Sequence, residues 1–277
     1  MRWWIRALDA GWTARKLAGM KIWRDYDQAG LDAAYDQRVW AKDAAEWIAL
    51  YAADTAAARQ AHPPEVHDTG AGLLDLYRAK PPARGIHLHV HGGAWRSLTR
   101  ADAGMAAPAL VAAGLDVVVP DFRLLPEFRL PHMVEDVVAA CLWAAKRGPL
   151  HLSGHSSGAH VAAVVATDPR VGPLLRSVTL LSGLYDLEPA LLSARGAYVA
   201  LEAAEALALS PVHHVGRIAA PVVIGYGTAE SPEFIRQSQD FAKLLGVEPI
   251  VLEGTNHFAT AYALAKGPVH QAMLALV

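Results

Sequence analysis

Leu150-His151-Leu152-Ser153-Gly154-His155-Ser156-Ser157-Gly158-Ala159-His160-Val161-Ala162-Ala163 is the stretch whose reading decides the fold. Leu150 to Ser153 predicts a short buried strand, and Ser157 to Thr167 a helix. Between them stands Gly154-His155-Ser156-Ser157-Gly158, a G-x-S-x-G turn in the strand–turn–helix context of a nucleophile elbow. Such a turn is tight and strained, so small residues must flank it. It lifts one hydroxyl above the sheet edge and sets it at a helix N-terminus, where free amides and the dipole favour an anion. Ser156 is central in the motif and is the expected nucleophile; Ser157 is its neighbouring rival.

Outward from the elbow the chain alternates strands with helices. Strands are expected at Leu73 to Tyr77, Ile86 to His91, Asp116 to Pro120, Ser177 to Leu181, Pro221 to Gly225 and Pro249 to Leu252. Helices are expected at Ala101 to Ala113, Pro131 to Arg147, Pro232 to Leu245 and Phe258 to Leu276, and Pro189 to Leu209 reads as mainly helical. This alternation predicts an α/β fold with a mostly parallel central sheet covered on both faces. Residues 1–60 show only helical periodicity, with Trp4, Leu8 and Trp12 four apart, until His62-Pro63-Pro64 stops it. The expected organisation is one domain over 1–277, with a helical extension at 1–60 and a cap inserted at about 185–210.

Composition narrows the function classes. Twenty-five basic and 27 acidic residues give a net charge of −2, which argues against nucleic-acid binding or a polybasic membrane contact. The single cysteine, Cys141, excludes an intramolecular disulfide framework and a multi-cysteine metal site. The longest stretch free of Asp, Glu, Lys and Arg, Gly148 to Thr167, carries His151, His155 and His160 with three glycines and three serines, which rejects it as a membrane span. Arg2, Arg6, Asp9, Arg15 and Lys16 interrupt every candidate signal core, so a cytoplasmic protein is expected.

The elbow calls for companions. His91-Gly92-Gly93-Ala94-Trp95 follows an apolar strand, where glycines let the backbone approach a reacting carbonyl. Gly92, Gly93 and Ala94 are the expected oxyanion loop, with the Ser157 amide as the second donor. The base should follow the last strand, and His257 in Glu253-Gly254-Thr255-Asn256-His257-Phe258 fits; His270 lies inside the final helix and fits poorly. The acid should follow the strand before. Glu230 is the best placed, with Glu233 and Asp186 as alternatives. His87, His89 and His91 would share one face of a strand and could in principle hold zinc, but no carboxylate completes a common hydrolase motif, so no metal and no cofactor are expected.

These residues, together with Ser182-Gly183-Leu184-Tyr185-Asp186-Leu187-Glu188-Pro189, Leu209-Ser210-Pro211, Glu230-Ser231-Pro232-Glu233-Phe234-Ile235-Arg236-Gln237-Ser238 and Asn256-His257-Phe258, carry a family likeness. The chain resembles the serine-hydrolase kynurenine formamidases (arylformamidases), a branch of the α/β-hydrolase superfamily close to small esterases. The resemblance implies nucleophile Ser156, base His257 and acid Glu230, where formamidases commonly carry aspartate. It implies hydrolysis of an N-acyl aromatic amine such as N-formylkynurenine. A carboxylesterase of short acyl or aryl esters is the alternative, and a non-catalytic binding protein on the same scaffold a third.

Trp95, Tyr185 and Phe258 are the candidate substrate-binding walls, each equally readable as core packing. Arg123 and Arg195 could meet a substrate carboxylate, although each reads more simply as a surface ion pair. Six of eight tryptophans precede residue 50. They are expected to anchor helices on the core, to roof the acyl pocket, or to form a homodimer contact. A small molecule is the only other partner expected.

Overall fold

In the computed structural model, which describes residues 20–277, the elbow strand stands in the middle of an eight-stranded sheet. In chain order the elements are α1 (Gln28–Tyr35), α2 (Ala44–Ala61), β1 (Glu65–Asp68), β2 (Leu73–Tyr77), β3 (Gly85–Val90), α3 (Ala107–Ala112), β4 (Leu115–Pro120), α4 (Leu130–Ala145), β5 (Leu150–His155) and α5 (Ser157–Ala166). There follow β6 (Leu175–Leu181), α6 (Glu188–Leu192), α7 (Gly196–Val199), α8 (Ala203–Ala208), β7 (Val222–Gly227), α9 (Pro232–Leu245), β8 (Ile250–Leu252) and α10 (Gly267–Leu274). The sheet order is β1-β2-β4-β3-β5-β6-β7-β8. The first two strands pair antiparallel, and all pairings from β4 through β8 are parallel.

This order places a switch point between β3 and β5. The chain leaves β3 toward β4 on one side, and β5 then takes up the other side of β3. Crevices at the carboxyl ends of such strands are where open parallel sheets bind ligands. The glycine loop leaves β3 there, and the Ser156 turn leaves β5 beside it.

Strand side chains alternate between two cores. Val118 faces one and Val117 and Val119 the other. α4, α5 and α9 cover the first face, while α3 and α10 cover the second. α1 lies on α9 and α6. In β3 the alternation takes a polar form: Ile86, Leu88 and Val90 enter the first core, and His87 and His89 share the Ser153 hydroxyl of β5 on the opposite face. His151 reaches Ser177 of β6 on that same face.

Where elements differ from expectation, backbone chemistry explains it. The helix expected from Ala101 begins only at Ala107, because Thr99 and Asp102 cap a separate 3-10 turn at Arg100–Asp102. The helix expected from Phe258 to Leu276 divides into a 3-10 turn, Ala259–Leu264, and α10. Gly267 at φ +80° and donor-less Pro268 separate them. The Pro189–Leu209 stretch forms three short helices, interrupted by left-handed Ala200 at φ 45°. β1 carries no alternating apolar signal, since Glu65-Val66-His67-Asp68 is an edge strand with largely exposed side chains. The helix expected around Trp4, Leu8 and Trp12 lies outside the described residues. Among the described residues no helix is long and apolar enough to cross a membrane.

The buried histidines make stability depend on pH. Burial holds His87 and His155 down at about 3 and His160 at about 4, and pushes His89 well below the ordinary imidazole value. These rings are neutral when folded but take protons once unfolded. Their contribution is complete above the unfolded value of about 6.5 and falls as pH falls, by up to about 1.4 kcal/mol per pH unit for each ring. Thermal unfolding should therefore move to clearly lower temperature between pH 7 and pH 5. A midpoint that stays flat over that window would contradict the account.

Candidate active site

Ser156 sits at φ 56°, ψ −125°, a conformation rare for a residue with a side chain. Its neighbours explain how the chain tolerates it. A Cβ on Gly154 would lie 2.3 Å from the Gly158 carbonyl oxygen, and one on Gly158 would lie 2.2 Å from that of Val90. Only glycines let β5 turn this sharply into α5 while β3 passes alongside. The Ser156 amide donates to Leu181 O at 2.9 Å, tying the turn to the end of β6.

His257 Nε2 lies 2.8 Å from Ser156 Oγ, and His257 Nδ1 lies 2.7 Å from Glu230 Oε2. A carboxylate only accepts, so Nδ1 carries the ring hydrogen and Nε2 is left to accept from the serine hydroxyl. Glu230 Oε1 accepts from Ser182 Oγ at 2.7 Å and from the Gly227 amide at 2.6 Å. All three side chains are buried. The carboxylate is thereby held from three directions with one oxygen fixed toward the imidazole.

Both alternative acids are occupied elsewhere. Glu233 is buried against Arg236 and the Tyr35 hydroxyl. Asp186 accepts from the Glu188 amide in the turn after β6. Ser157, the rival serine, accepts from the Trp95 amide at 3.1 Å and so ties the glycine loop to α5. The amides of Gly93, Ala94 and Ser157 have no partner among the described residues, whereas the Gly92 carbonyl accepts from His91 Nδ1 at 2.9 Å. Gly93 has φ +103°, and a Cβ there would lie 2.0 Å from Ser97 O.

Residues outside the sequence expectations hold His257 in place. Thr260 Oγ1 lies 2.7 Å from Ser182 Oγ and 2.7 Å from the His257 carbonyl. His155 Nε2 donates to the same carbonyl at 2.9 Å. Asn256 caps the turn through its Oδ1, which accepts from the Phe258 and Ala259 amides. Ser182 could have been noticed, since it opens the block after β6; nothing in the sequence marks Thr260. The N-terminal helices also reach the site. Gln37 clasps Ser231, the residue after Glu230, donating to its Oγ and accepting from its amide.

A cleft of about 590 Å³ opens above Ser156 and His257. Its walls come from three regions: Tyr35 to Arg38, Ile48 and Tyr51 of the N-terminal helices; Gly93, Ala94 and Arg96 to Leu98 of the glycine loop; and Ser193 to Tyr198 around α7. Phe258 lines it, as expected. Trp95 and Tyr185 do not, and they are corrected to core residues. Trp95 is 1% exposed and donates its indole N–H to His160 Nδ1, while His160 Nε2 donates to Leu209 O. Tyr185 is 0% exposed and stacks on Phe241 at 4.1 Å between ring centres. Among the described residues no tryptophan lines the cleft; Trp47 instead packs on Tyr262, and Trp40 is partly exposed.

Arg123 forms the expected ion pair, with Asp136 at 2.6 Å, but Arg195 forms none among the described residues and lies in the cleft wall. Among the described residues no group of three His, Cys, Asp or Glu side chains is placed to hold a metal ion.

A family model for the α/β hydrolase fold matches residues 87–223. A kynurenine formamidase from Salmo salar is 30% identical over 225 residues, covering 73% of this chain and 76% of the relative. The chain belongs to the kynurenine formamidase family. It is a hydrolase of the α/β fold. An esterase, LipC, from Mycobacterium tuberculosis is 27% identical over 64% of this chain and 53% of the esterase. Among solved structures, a candidate thioesterase from Silicibacter sp. tm1040 superposes with a TM-score of 0.82 at 28% identity, covering 89% of this chain and 98% of that one. The formamidase-like blocks after β6 and around α9 now have a physical reading. The Gln237 side chain accepts from the Tyr185 and Asp186 amides and donates to the Asp186 carbonyl and to Tyr35 Oη, locking both blocks together.

Ser156→Ala should lower kcat roughly a thousandfold or more while leaving the unfolding temperature near wild type. A serine-reactive phosphonate should label Ser156 and no other serine, as read by peptide mass spectrometry. Retained activity in the alanine variant, or labelling at Ser157, would displace the assignment.

Proposed function

We propose that this hydrolase cleaves N-acyl aromatic amines, N-formylkynurenine being the type of substrate, through Ser156, His257 and Glu230. The observation that carries the reading is the hydrogen-bonded line from Ser156 Oγ through the His257 ring to Glu230 Oε2 on the floor of the cleft. Kinship to formamidases selects the amide substrate.

The chemistry is acyl transfer. His257 Nε2 accepts the hydroxyl proton as Ser156 Oγ bonds to the acyl carbon. The Glu230 carboxylate orients the ring and stabilises the imidazolium without taking its proton. The partnerless amides of Gly93, Ala94 and Ser157 are the donors for the oxyanion, one such donor being worth about 3 kcal/mol in the transition state. Gly92 supports that loop through the His91 bond to its carbonyl. The imidazolium then protonates the leaving nitrogen as the C–N bond breaks, and the free arylamine departs. Water, deprotonated by His257, hydrolyses the acyl-serine and restores the hydroxyl. The cycle closes without a cofactor, on a small soluble substrate, which suits the cytoplasm.

Ester hydrolysis by the same residues is the second reading, favoured by the similarity to an esterase. The deciding measurement compares kcat/KM for N-formylkynurenine with kcat/KM for phenyl acetate. The proposal expects the formamide to be the better substrate by tenfold or more. A formamidase rate equal to that of buffer, alongside rapid ester cleavage, would leave the esterase reading in its place. Glu230→Gln should lower kcat for the preferred substrate by roughly 10⁴-fold, because the ring would lose the anion that fixes its tautomer. A rate near wild type would remove Glu230 from the scheme.

A further inference from the structure

Arg195 is an unusual component of the cleft wall. Its Nε and Nη2 both donate to the Tyr35 carbonyl, at 3.0 and 2.6 Å. Its Nη1 is buried and has no hydrogen-bond partner among the described residues. The guanidinium lies 5.6–5.7 Å from the ring centres of Tyr35, Trp95 and Phe234. A cation packed among aromatic rings gains some stabilisation from their faces. It still carries a desolvation cost that only an anion with a matching pair of acceptors offsets well.

Among the described residues no carboxylate plays that part. Asp36, the nearest acid, binds Arg38 through both of its oxygens. Asp32 accepts from the Ala194 amide and from Gln28 Nε2. A second guanidinium deepens the imbalance. Arg96 is exposed, lines the same cleft and lies over the Tyr198 ring at 4.5 Å, with no acidic partner among the described residues. It is close enough to Arg195 for the two charges to oppose each other, and Tyr198 is within electrostatic reach of both. The cleft that opens on Ser156 therefore has two guanidinium groups in its wall that no carboxylate among the described residues neutralises.

We propose that Arg195 and Arg96 form a carboxylate-recognition subsite in the wall of this cleft, which holds the substrate's carboxylate remote from the bond that is cleaved. The inference rests on the proposed formamidase activity and names the part of the substrate that selects for it. Arg96, exposed in the wall, meets the anion first. Arg195 supplies the fixed, partly desolvated donor. The two bonds to Tyr35 O hold the group so that little freedom is lost on binding.

Calorimetric titration tests this without any turnover. The ligands are kynurenine and its carboxamide, which differ only in charge at the carboxyl position. The wild-type protein should bind kynurenine at least tenfold more tightly. Arg195→Gln should cost kynurenine at least tenfold more affinity than it costs the carboxamide. Arg96→Gln removes a side chain without a hydrogen bond and so keeps the fold even if Arg195→Gln does not; it should weaken kynurenine severalfold more than the carboxamide. Arg195→Lys should restore only part of the preference, since an ammonium lacks the planar fork. Equal affinity of the wild type for both ligands, equal losses for both in the variants, or no measurable binding of kynurenine would overturn the subsite. The formamidase reading stands or falls separately on cleavage of N-formylkynurenine.

Discussion

The left-handed turn at Ser156 is the constraint on which the rest of this molecule depends. A non-glycine residue at such dihedrals costs of the order of 1–3 kcal/mol and persists only where its surroundings leave no alternative. Here the surroundings are three strands and a helix. Gly154 and Gly158 permit contact closer than any Cβ allows, Leu181 O holds the Ser156 amide, and α5 begins at the next residue. The packing of β3, β5 and β6 is therefore also the positioning of one hydroxyl. A sheet of other register would have to move that oxygen away from His257.

Around this turn the polar groups are arranged so that each buried partner has limited freedom. Glu230 accepts from a serine, an amide and the imidazole; Thr260 and His155 hold the carbonyl of His257. In a medium of low dielectric such a network is stable only when its members are satisfied. That explains why segments far from the chemistry contribute. Gln37 and Tyr35, from the helical extension, bind the turn and the helix that follow Glu230, and Tyr51 Oη donates to the Phe258 carbonyl beside the base. The extension both walls the cleft and stiffens the loops that carry Glu230 and His257. Its tryptophans among the described residues take no part in the lining; tyrosine, glutamine and arginine do.

Much of this was legible in the sequence, for reasons that differ by residue. Ser156 and the glycines around it were readable because steric exclusion acts locally and leaves a fixed spacing. His257 and Glu230 were readable because a parallel sheet puts loops after successive strands at one edge. Trp95 and Tyr185 were misjudged as cleft walls because proximity in sequence to the glycine loop and the cap says nothing about which side a ring turns to. His160 draws the Trp95 indole inward, and Phe241 does the same for Tyr185. Arg195 was misjudged for the complementary reason. An arginine in sequence reads as a surface charge, and only packing among Tyr35, Trp95 and Phe234 makes it half-buried, without an acidic partner among the described residues. β1 and the late start of α3 escaped because edge strands and capped 3-10 turns leave no periodic apolar signal.

By itself, then, the sequence determined the α/β alternation, the elbow, the serine and histidine that stand at the ends of β5 and β8, and a short set of candidate carboxylates after β6 and β7. Those features follow from backbone sterics and from the periodicity of apolar side chains, both of which act over a few residues. The tertiary structure alone decided which acid meets the imidazole, that Ser182 and Thr260 support it, that residues 32–51 close one side of the cleft, and that Arg195 stands there without an acidic partner among the described residues. Each of those joins groups from 27 to more than 150 residues apart. Such pairings are fixed by how layers pack, and no local rule encodes them.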